Sequence, residues 1–248
     1  MSVRTRVFSD VSLSVGDVLR LPDEEGHHLF KVLRARAGEA IEVVDGSGRL
    51  FVAELTEGRE ASVTGERPAP ADEGRVTLYQ AVPKGRHMDL VVEKATELGV
   101  GAIVPIVTEH GVVRLDRGDG KVERWRRVAL AAARQSQRLR IPEVREAVPF
   151  AEAMGEAGES GVLLHNGPEL PPIEDAVPNS AVGLFVGPEG GFSEGELALA
   201  VGEGAKLASL GPFRLRSETA GMVAVARACA AVPGGIGEGI AGKSERRP

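Results

Sequence analysis

The sequence predicts an α/β fold, with a C-terminal domain on a parallel sheet and a small β-rich domain before it. Three observations predict this. The first 70 or so residues carry short, often alternating apolar runs separated by turn residues. The stretch "RPAPADEGR" that follows has almost nothing to bury and reads as a linker. Beyond it, strand-like apolar runs alternate with amphipathic helix-like segments, the rhythm of βαβ units.

The N-terminal runs are "DVLRL", "AIEVVDG", "RLFVAEL" and "ASVTGE", with turn residues such as Asp45-Gly46 and Gly48 between them. They predict a small barrel over residues 1–70. A second domain is expected over 73–233. It opens with a strand at "VTLYQAV". "HMDLVVEKATELG" reads as a helix, because Met88, Val91, Val92, Ala95 and Leu98 share one face and Gly99 is a good stop. "AIVPIV" is the next strand, completing a βαβ unit and implying a parallel sheet. A long helix follows over "KVERWRRVALAAARQSQ", with Val122, Trp125, Val128, Ala129 and Ala132 as its apolar stripe and arginines mostly off it.

Three short apolar runs come next, "GVLLH", "AVGLFV" and "AKLASLG", which read as buried strands. They end at the turns "HNGPE", "GPEGGFS" and "GPFRLRSE". Ser193 and Glu196 form a capping box at the start of "SEGELALAVGEG". Ser217 is a candidate N-cap for "ETAGMVAVARACAAV". The Gly-rich, polar residues 234–248 are expected to be disordered. No internal repeat is present.

Composition bounds the function classes. The chain has 248 residues, 42% of them hydrophobic, which is ordinary globular content. No apolar run approaches the roughly 18 residues of a membrane helix, and the N-terminus lacks the apolar core of a secretory signal. A membrane partner is not expected. The single cysteine, Cys229, lies in an apolar helix-like run and is expected to be buried; one cysteine excludes an internal disulfide and fits a reducing cytoplasm. His27 and His28 are adjacent, poor geometry for one metal, and no Cys-x-x-Cys or His-x-x-x-His pair exists, so no metal is expected.

The net charge of −6 argues against nucleic acid, but its distribution argues the other way. Arg114 to Arg145 holds ten Lys/Arg against four Asp/Glu, and Glu146 to Phe213 holds one against eleven. Such asymmetry suits a polyanion approaching one face, or equally a solvated helix face with compensating charge elsewhere.

The glycine turn "GPEGG" is the sharpest feature. It lacks the Gly-Lys-Ser/Thr of a phosphate loop, its glycine spacing is not that of dinucleotide-binding folds, and Glu189 would repel phosphate. A neutral or cationic ligand suits it better, since Gly190 and Gly191 let backbone approach closely. A bare tight turn is the alternative for one such motif alone. Three turns at the ends of three parallel strands favour a ligand site, because open α/β sheets bind ligands there.

"LFVGPEGGFSEGEL" followed by "LGPFRLRSETA" resembles the ribosomal RNA small subunit methyltransferase E family, of the SPOUT class. "HHLFKVLRARAGEAIEVVDGSGRLFVAEL" is similar to the family's PUA-like RNA-binding domain. "QAVPKGRHMDLVVEKATELGVGAIVPIVTEHGVV" is similar to the start of its catalytic domain, and "RWRRVALAAARQSQRLRIPEV" to a later helix and its exit. Four blocks in this order cover most of the chain. The chain departs from the family at Phe213, where arginine is usual, at Arg214, an apolar position, at Ser217, commonly threonine, and at His110, where "TER" is usual.

The resemblance implies a C-terminal trefoil knot, a rare exception to the rule against threaded chains. It implies S-adenosylmethionine bound by Leu164, His165, Gly187, Pro188, Glu189, Gly190, Gly191, Leu210, Gly211, Leu215 and Arg216. It implies N3-methyluridine in 16S ribosomal RNA of the small subunit as product, and a homodimer through the knot domain. Methyl transfer to N3 requires loss of a proton and favours a cation near the uracil, so Arg216 is the first catalytic candidate. Glu218 is the second, as base or as orienter of Arg216, the alternative being helix N-terminal stabilisation. RNA contacts are expected from Lys31, Arg34, Arg36, Lys84, Arg86, Arg134, Gln135 and Arg138, each of which could equally be a plain surface group. Rival readings are a knotted 2′-O-ribose RNA methyltransferase and a non-catalytic rRNA-binding protein of the same fold, with a dinucleotide-dependent oxidoreductase a distant third.

Overall fold

The structure, a computed structural model, describes residues 6–9, 11–32, 34–45, 48–68, 74–112, 120–167 and 169–231. The expected tail at 234–248 lies outside them. The chain forms two compact units, Met1–Pro70 with Arg134–Arg140, and Ala71–Ala133 with Ile141–Pro248. Arg134–Arg140, expected in the second domain, thus group with the first unit.

The first unit contains β1 (Arg6–Phe8), β2 (Val18–Arg20), α1 (Asp23–His27), a π-helical turn (His28–Val32), β3 (Ala40–Val44), β4 (Leu50–Leu55) and β5 (Glu60–Arg67). They make a curled five-stranded sheet in the order β1-β3-β4-β5-β2. β1 runs parallel to β3 and the other pairs are antiparallel. Alternation places Ile41, Val43, Phe51, Ala53, Leu55, Ala61 and Val63 in one core with Leu19 and Leu29. The buried carboxylate of Asp45 accepts from the Leu13 and Arg49 amides and pairs with the Arg49 guanidinium at 2.9 Å, which closes the β3–β4 end. Residues 134–140 join this unit through a small cluster of Leu139 with Phe8, Val44 and Leu50, and through Arg134, which pairs with Glu25 at 3.0 Å.

The second unit runs β6 (Val76–Ala81), α2 (His87–Glu97), β7 (Ala102–Val107), α3 (Lys121–Gln135), β8 (Glu143–Val144), β9 (Val148–Pro149), α4 (Phe150–Ala157), β10 (Gly161–Leu164), α5 (Ile173–Ala176), β11 (Val182–Val186), α6 (Glu194–Gly202), β12 (Lys206–Ala208) and α7 (Ser217–Ala231). Every strand pair is parallel, in the order β12-β10-β11-β6-β7-β8, with β9 also beside β7. All five residues of β11 are buried, as a central strand covered on both faces requires. One face packs Leu78, Leu184 and Val186 against Met88, Val91 and Val92 of α2, Trp125 of α3, and Ala224, Val225 and Ala228 of α7. The other packs Tyr79 and Phe185 against Phe150 and Met154 of α4 and Ala200 of α6. Tyr79 stacks on Phe185 at 4.4 Å, and Phe150 meets Phe185 edge-on at 5.8 Å. Removing a ring such as Phe185 costs about 3–5 kcal/mol.

Helix ends follow local chemistry. Gly99, at φ +101°, ends α2 in the conformation that glycine adopts without strain. The capping box of α6 is formed by Ser193 and Glu196, each side chain accepting from the other's backbone amide, at 3.2 and 2.9 Å. Ser217 is different from expectation. It is the first residue inside α7, and its hydroxyl bonds outside the helix, to Gly187.

Candidate active site

β10, β11 and β12 are parallel strands of one sheet, with β10 between the other two, so the turns that follow them gather at one edge. Together with the segment leading into α7 they enclose a cavity of about 590 Å³, lined by 164–166, 186–192, 210, 213–217 and 220. That volume lies in the range of small-molecule sites, roughly 300–1,000 Å³.

Neighbouring loops hold the second turn firmly. The backbone amide of Lys84 donates to the Glu189 carboxylate at 3.1 Å. His110 Nδ1 lies 3.2 Å from the Gly191 carbonyl and donates to it. Glu196, already in the capping box, also accepts from the Glu109 amide at 2.9 Å. The third turn is tied to the second by Arg214, whose guanidinium donates to the Glu189 carbonyl at 2.9 Å. Arg227 of α7 donates to the Leu210 carbonyl at 3.0 Å and is gripped by both carboxylate oxygens of Glu174. The Ser217 hydroxyl donates to the Gly187 carbonyl at 2.7 Å and accepts from Gln80 of β6 at 2.9 Å. Walls built this way are ordered before any ligand arrives.

Leu164, His165, Gly187, Pro188, Glu189, Gly190, Gly191, Leu210, Leu215 and Arg216 line the cavity. Gly211 does not. It borders an adjoining cavity of about 730 Å³, with Asn166, Arg214 and Arg227. Glu218 is also outside the lining: it is 7% exposed, and its carboxylate lies 3.9 Å from His87 Nδ1, because the first turn of α7 aims it toward α2. Arg216 is exposed at the cavity edge, and its carbonyl accepts from the Ala220 amide at 2.8 Å. Lys84 and Arg86 are exposed on the β6–α2 loop. Lys31, Arg34, Arg36 and Gln135 are exposed in the first unit. Arg138 is only 5% exposed next to Leu139, so its guanidinium is not presented to a polyanion.

Sequence reasoning misses the lining residues Asn166, Val186, Phe192 and Ala220, and marks Phe213, Arg214 and Ser217 only as departures from the family. Asn166 directly follows His165, and that adjacency is a usable signal. It also misses Gln80, a polar residue in an otherwise strand-like apolar run. Among the described residues no group of three or more His, Cys, Asp and Glu could hold a metal, and no helix is long and apolar enough to cross a membrane.

Residues 70–229 match the RNA methyltransferase domain family and residues 21–64 the RNA methyltransferase PUA domain family. A ribosomal RNA small subunit methyltransferase E from Neisseria gonorrhoeae, solved bound to S-adenosylmethionine, is 30% identical, with a TM-score of 0.79 over 92% of this chain and 98% of that one. A methyltransferase from Legionella pneumophila, solved with bound S-adenosylmethionine, is 33% identical, with a TM-score of 0.77 over 93% and 99%. Fold and site therefore define a SPOUT-class RNA methyltransferase with a PUA-like N-terminal domain. The ribosomal RNA small subunit methyltransferase E of Mycobacterium tuberculosis is 34% identical over 231 residues, 88% of each chain, and that of Synechocystis is 33% identical over 217 residues, 81% of this chain and 69% of that one. The chain belongs to the ribosomal RNA small subunit methyltransferase E family.

Proposed function

We propose that this protein transfers a methyl group from S-adenosylmethionine to N3 of a uridine in small-subunit ribosomal RNA. The observation that carries the reading is the cavity itself: three strand-end turns and the start of α7 enclosing about 590 Å³ with backbone groups, apolar side chains and two exposed arginines, Arg214 and Arg216. The residues present fit such a cofactor. Leu164, Val186, Leu210 and Leu215 offer apolar surface to an adenine ring, and the backbone of 187–191 offers donors and acceptors to ribose and base edges. Gly190 lets the turn pack closely on the neighbouring loop, since a Cβ there would lie 3.0 Å from His110 Cβ.

When bound, S-adenosylmethionine supplies an electrophilic methyl group on a sulfonium cation. The chain's own residues arrange the acceptor. Transfer to N3 requires that its proton leave, to water at the exposed cavity mouth, which shifts negative charge onto the uracil carbonyl oxygens until N3 takes the methyl group. Arg216 stands at the cavity edge as the cation that stabilises this charge. Glu218 lies outside the cavity in the first turn of α7, where a carboxylate favours the helix start. Lys31, Arg34, Arg36, Lys84 and Arg86 meet RNA phosphates. The protein acts as a homodimer in the cytoplasm, in keeping with the family resemblance.

The test uses small ribosomal subunits lacking uridine methylation, the protein and labelled S-adenosylmethionine, followed by nucleoside mass spectrometry. N3-methyluridine at one site is the expected product. A 2′-O-methyl nucleoside would move the protein to another knotted family. No label despite cofactor and RNA binding would favour a non-catalytic rRNA-binding role. Light scattering of the purified protein checks the dimer.

A further inference from the structure

We propose that Gln80 is a positioning residue for the cofactor cavity, fixing the Gly187 carbonyl through the Ser217 hydroxyl. The proposal rests on the reading of that cavity as the S-adenosylmethionine site. Gln80 lies in β6, among Val76, Leu78, Tyr79 and Ala81, and is 0% exposed. Burying an amide is costly unless its groups are bonded. On packing grounds an apolar residue of similar volume would serve at this position.

The bonds have a forced direction. The two Nε2 protons of Gln80 go to the Ala81 carbonyl and the Ser217 hydroxyl oxygen, each at 2.9 Å. The single hydroxyl proton of Ser217 then goes to the Gly187 carbonyl at 2.7 Å. Turning the amide over would set its oxygen against the Ala81 carbonyl, acceptor against acceptor, so the network fixes its orientation. The relay joins the end of β6, the start of the "GPEGG" turn and the first residue of α7. Gly187 and Ser217 both line the cavity.

The other end of the amide carries the second observation. Gln80 Oε1 is buried without a hydrogen-bond partner among the described residues. A Cβ on residue 221 would collide with it, so Gly221 in α7 makes room for it. A glycine inside a helix is less favourable than alanine. A buried amide with an unbonded carbonyl and a mid-helix glycine both cost stability. An apolar side chain at 80 with alanine at 221 would avoid both costs. What the costlier pair secures is a backbone carbonyl locked at the cavity wall before the ligand arrives, which lowers the ordering cost of binding.

The experiment titrates S-adenosylmethionine into the full-length protein by calorimetry, for wild type, Gln80→Met, Ser217→Ala, Ser217→Thr and Gln80→Met with Ser217→Ala. Melting temperature, kcat and both KM values accompany each. Gln80→Met and Ser217→Ala should each weaken binding about tenfold, and the double variant should lose little more than either, as one relay requires. Ser217→Thr keeps the hydroxyl and should recover most of the affinity. KM for S-adenosylmethionine should rise in proportion while KM for RNA stays put, a split that general destabilisation does not produce. If Gln80→Met fails to fold, the Ser217→Ala and Ser217→Thr pair carries the test. Additive losses, wild-type affinity in Gln80→Met, or a threonine as weak as alanine would overturn the relay while leaving the cavity reading intact. Failure of the wild type itself to bind would overturn that reading, and the relay's role with it.

Discussion

The guanidinium of Arg214 reaches from the third turn to the backbone carbonyl of Glu189 on the second, 2.9 Å away. The two turns come from strands β11 and β12, which are not neighbours in the sheet, since β10 lies between them. Sheet hydrogen bonding therefore does not join these turns directly; Arg214 bridges them, beside the bond from the Ser217 hydroxyl to the Gly187 carbonyl. Arg214→Leu should weaken S-adenosylmethionine binding by roughly three- to tenfold, the worth of one charge-assisted hydrogen bond in part-exposed surroundings. Its melting temperature should barely move, because the side chain is exposed. Calorimetric titration beside a thermal melt checks both statements.

Gly190 makes a sharper steric prediction. An added Cβ would sit 3.0 Å from His110 Cβ, so the clash is with the base of the histidine side chain. Gly190→Ala should displace the turn and weaken cofactor binding about tenfold. Adding His110→Ala should not help, because alanine keeps the offending Cβ. Adding His110→Gly should recover part of the affinity, even though it removes the bond from Nδ1 to Gly191. Equal recovery by alanine and glycine would refute this account.

Bonds of this kind mark the limit of what the sequence can reveal. The parallel strands, α2 with its Gly99 stop and the Ser193–Glu196 capping box are local or periodic features, and they are readable. Helix α4 and the two-residue strands β8 and β9 are not, since such short pieces carry too few periodic positions. Ser217 has the look of an N-cap because Ser before an apolar helix usually is one. Its hydroxyl goes instead to Gly187 and Gln80, partners 30 and 137 residues away. Arg138 reads as one more basic residue of a charged face, and only the packing of 134–140 with the first unit reveals it as buried. The site's backbone can be located from its glycines, but its supports lie at long sequence separation and leave no local pattern.

The ion pair between Glu174 and Arg227 gives a pH prediction. Hydrogen bonds from Arg227 hold the Glu174 carboxyl below the ordinary carboxylate range, against a smaller upward push from burial. A lowered folded-state value means that the pair's contribution is present above the unfolded value, about 4.3, and is lost as pH falls through the folded one. The melting temperature of wild type should exceed that of Glu174→Gln by a constant margin from about pH 8 to about pH 6. The margin should shrink below about pH 5 and vanish in stronger acid. Both side chains are partly exposed, so the margin should be a few degrees at most. Because Arg227 also anchors the Leu210 carbonyl, Glu174→Gln should weaken cofactor binding modestly at neutral pH.

RNA binding separates exposed from buried arginines. Neutralising Lys31 or Arg36, both exposed, should weaken RNA binding and lower the salt slope by about one unit for each phosphate no longer neutralised. Arg138→Gln should leave the slope unchanged and instead lower the melting temperature, since its side chain is packed inside the first unit. Filter binding of a small-subunit RNA fragment across a salt series, beside thermal melts, distinguishes the two behaviours. A drop in slope for Arg138→Gln would mean that this side chain does reach RNA.

Arg216 is where binding and chemistry can be told apart. Its backbone is fixed at the start of α7 by the Ala220 amide, while its side chain is exposed at the cavity edge and has no ion-pair partner among the described residues. In the proposed reaction a cation placed this way would act on charge that develops during transfer rather than on the resting cofactor. Arg216→Ala should therefore lower kcat by roughly 10²–10³ while the Kd for S-adenosylmethionine changes less than about threefold. Arg216→Lys keeps the charge without the planar fork and should restore only part of the rate. Single-turnover kinetics on unmethylated subunits, with cofactor affinity measured separately, gives both numbers. A weakened Kd with an unchanged kcat would make Arg216 a cofactor-holding residue and leave the catalytic cation to be found elsewhere on the cavity rim.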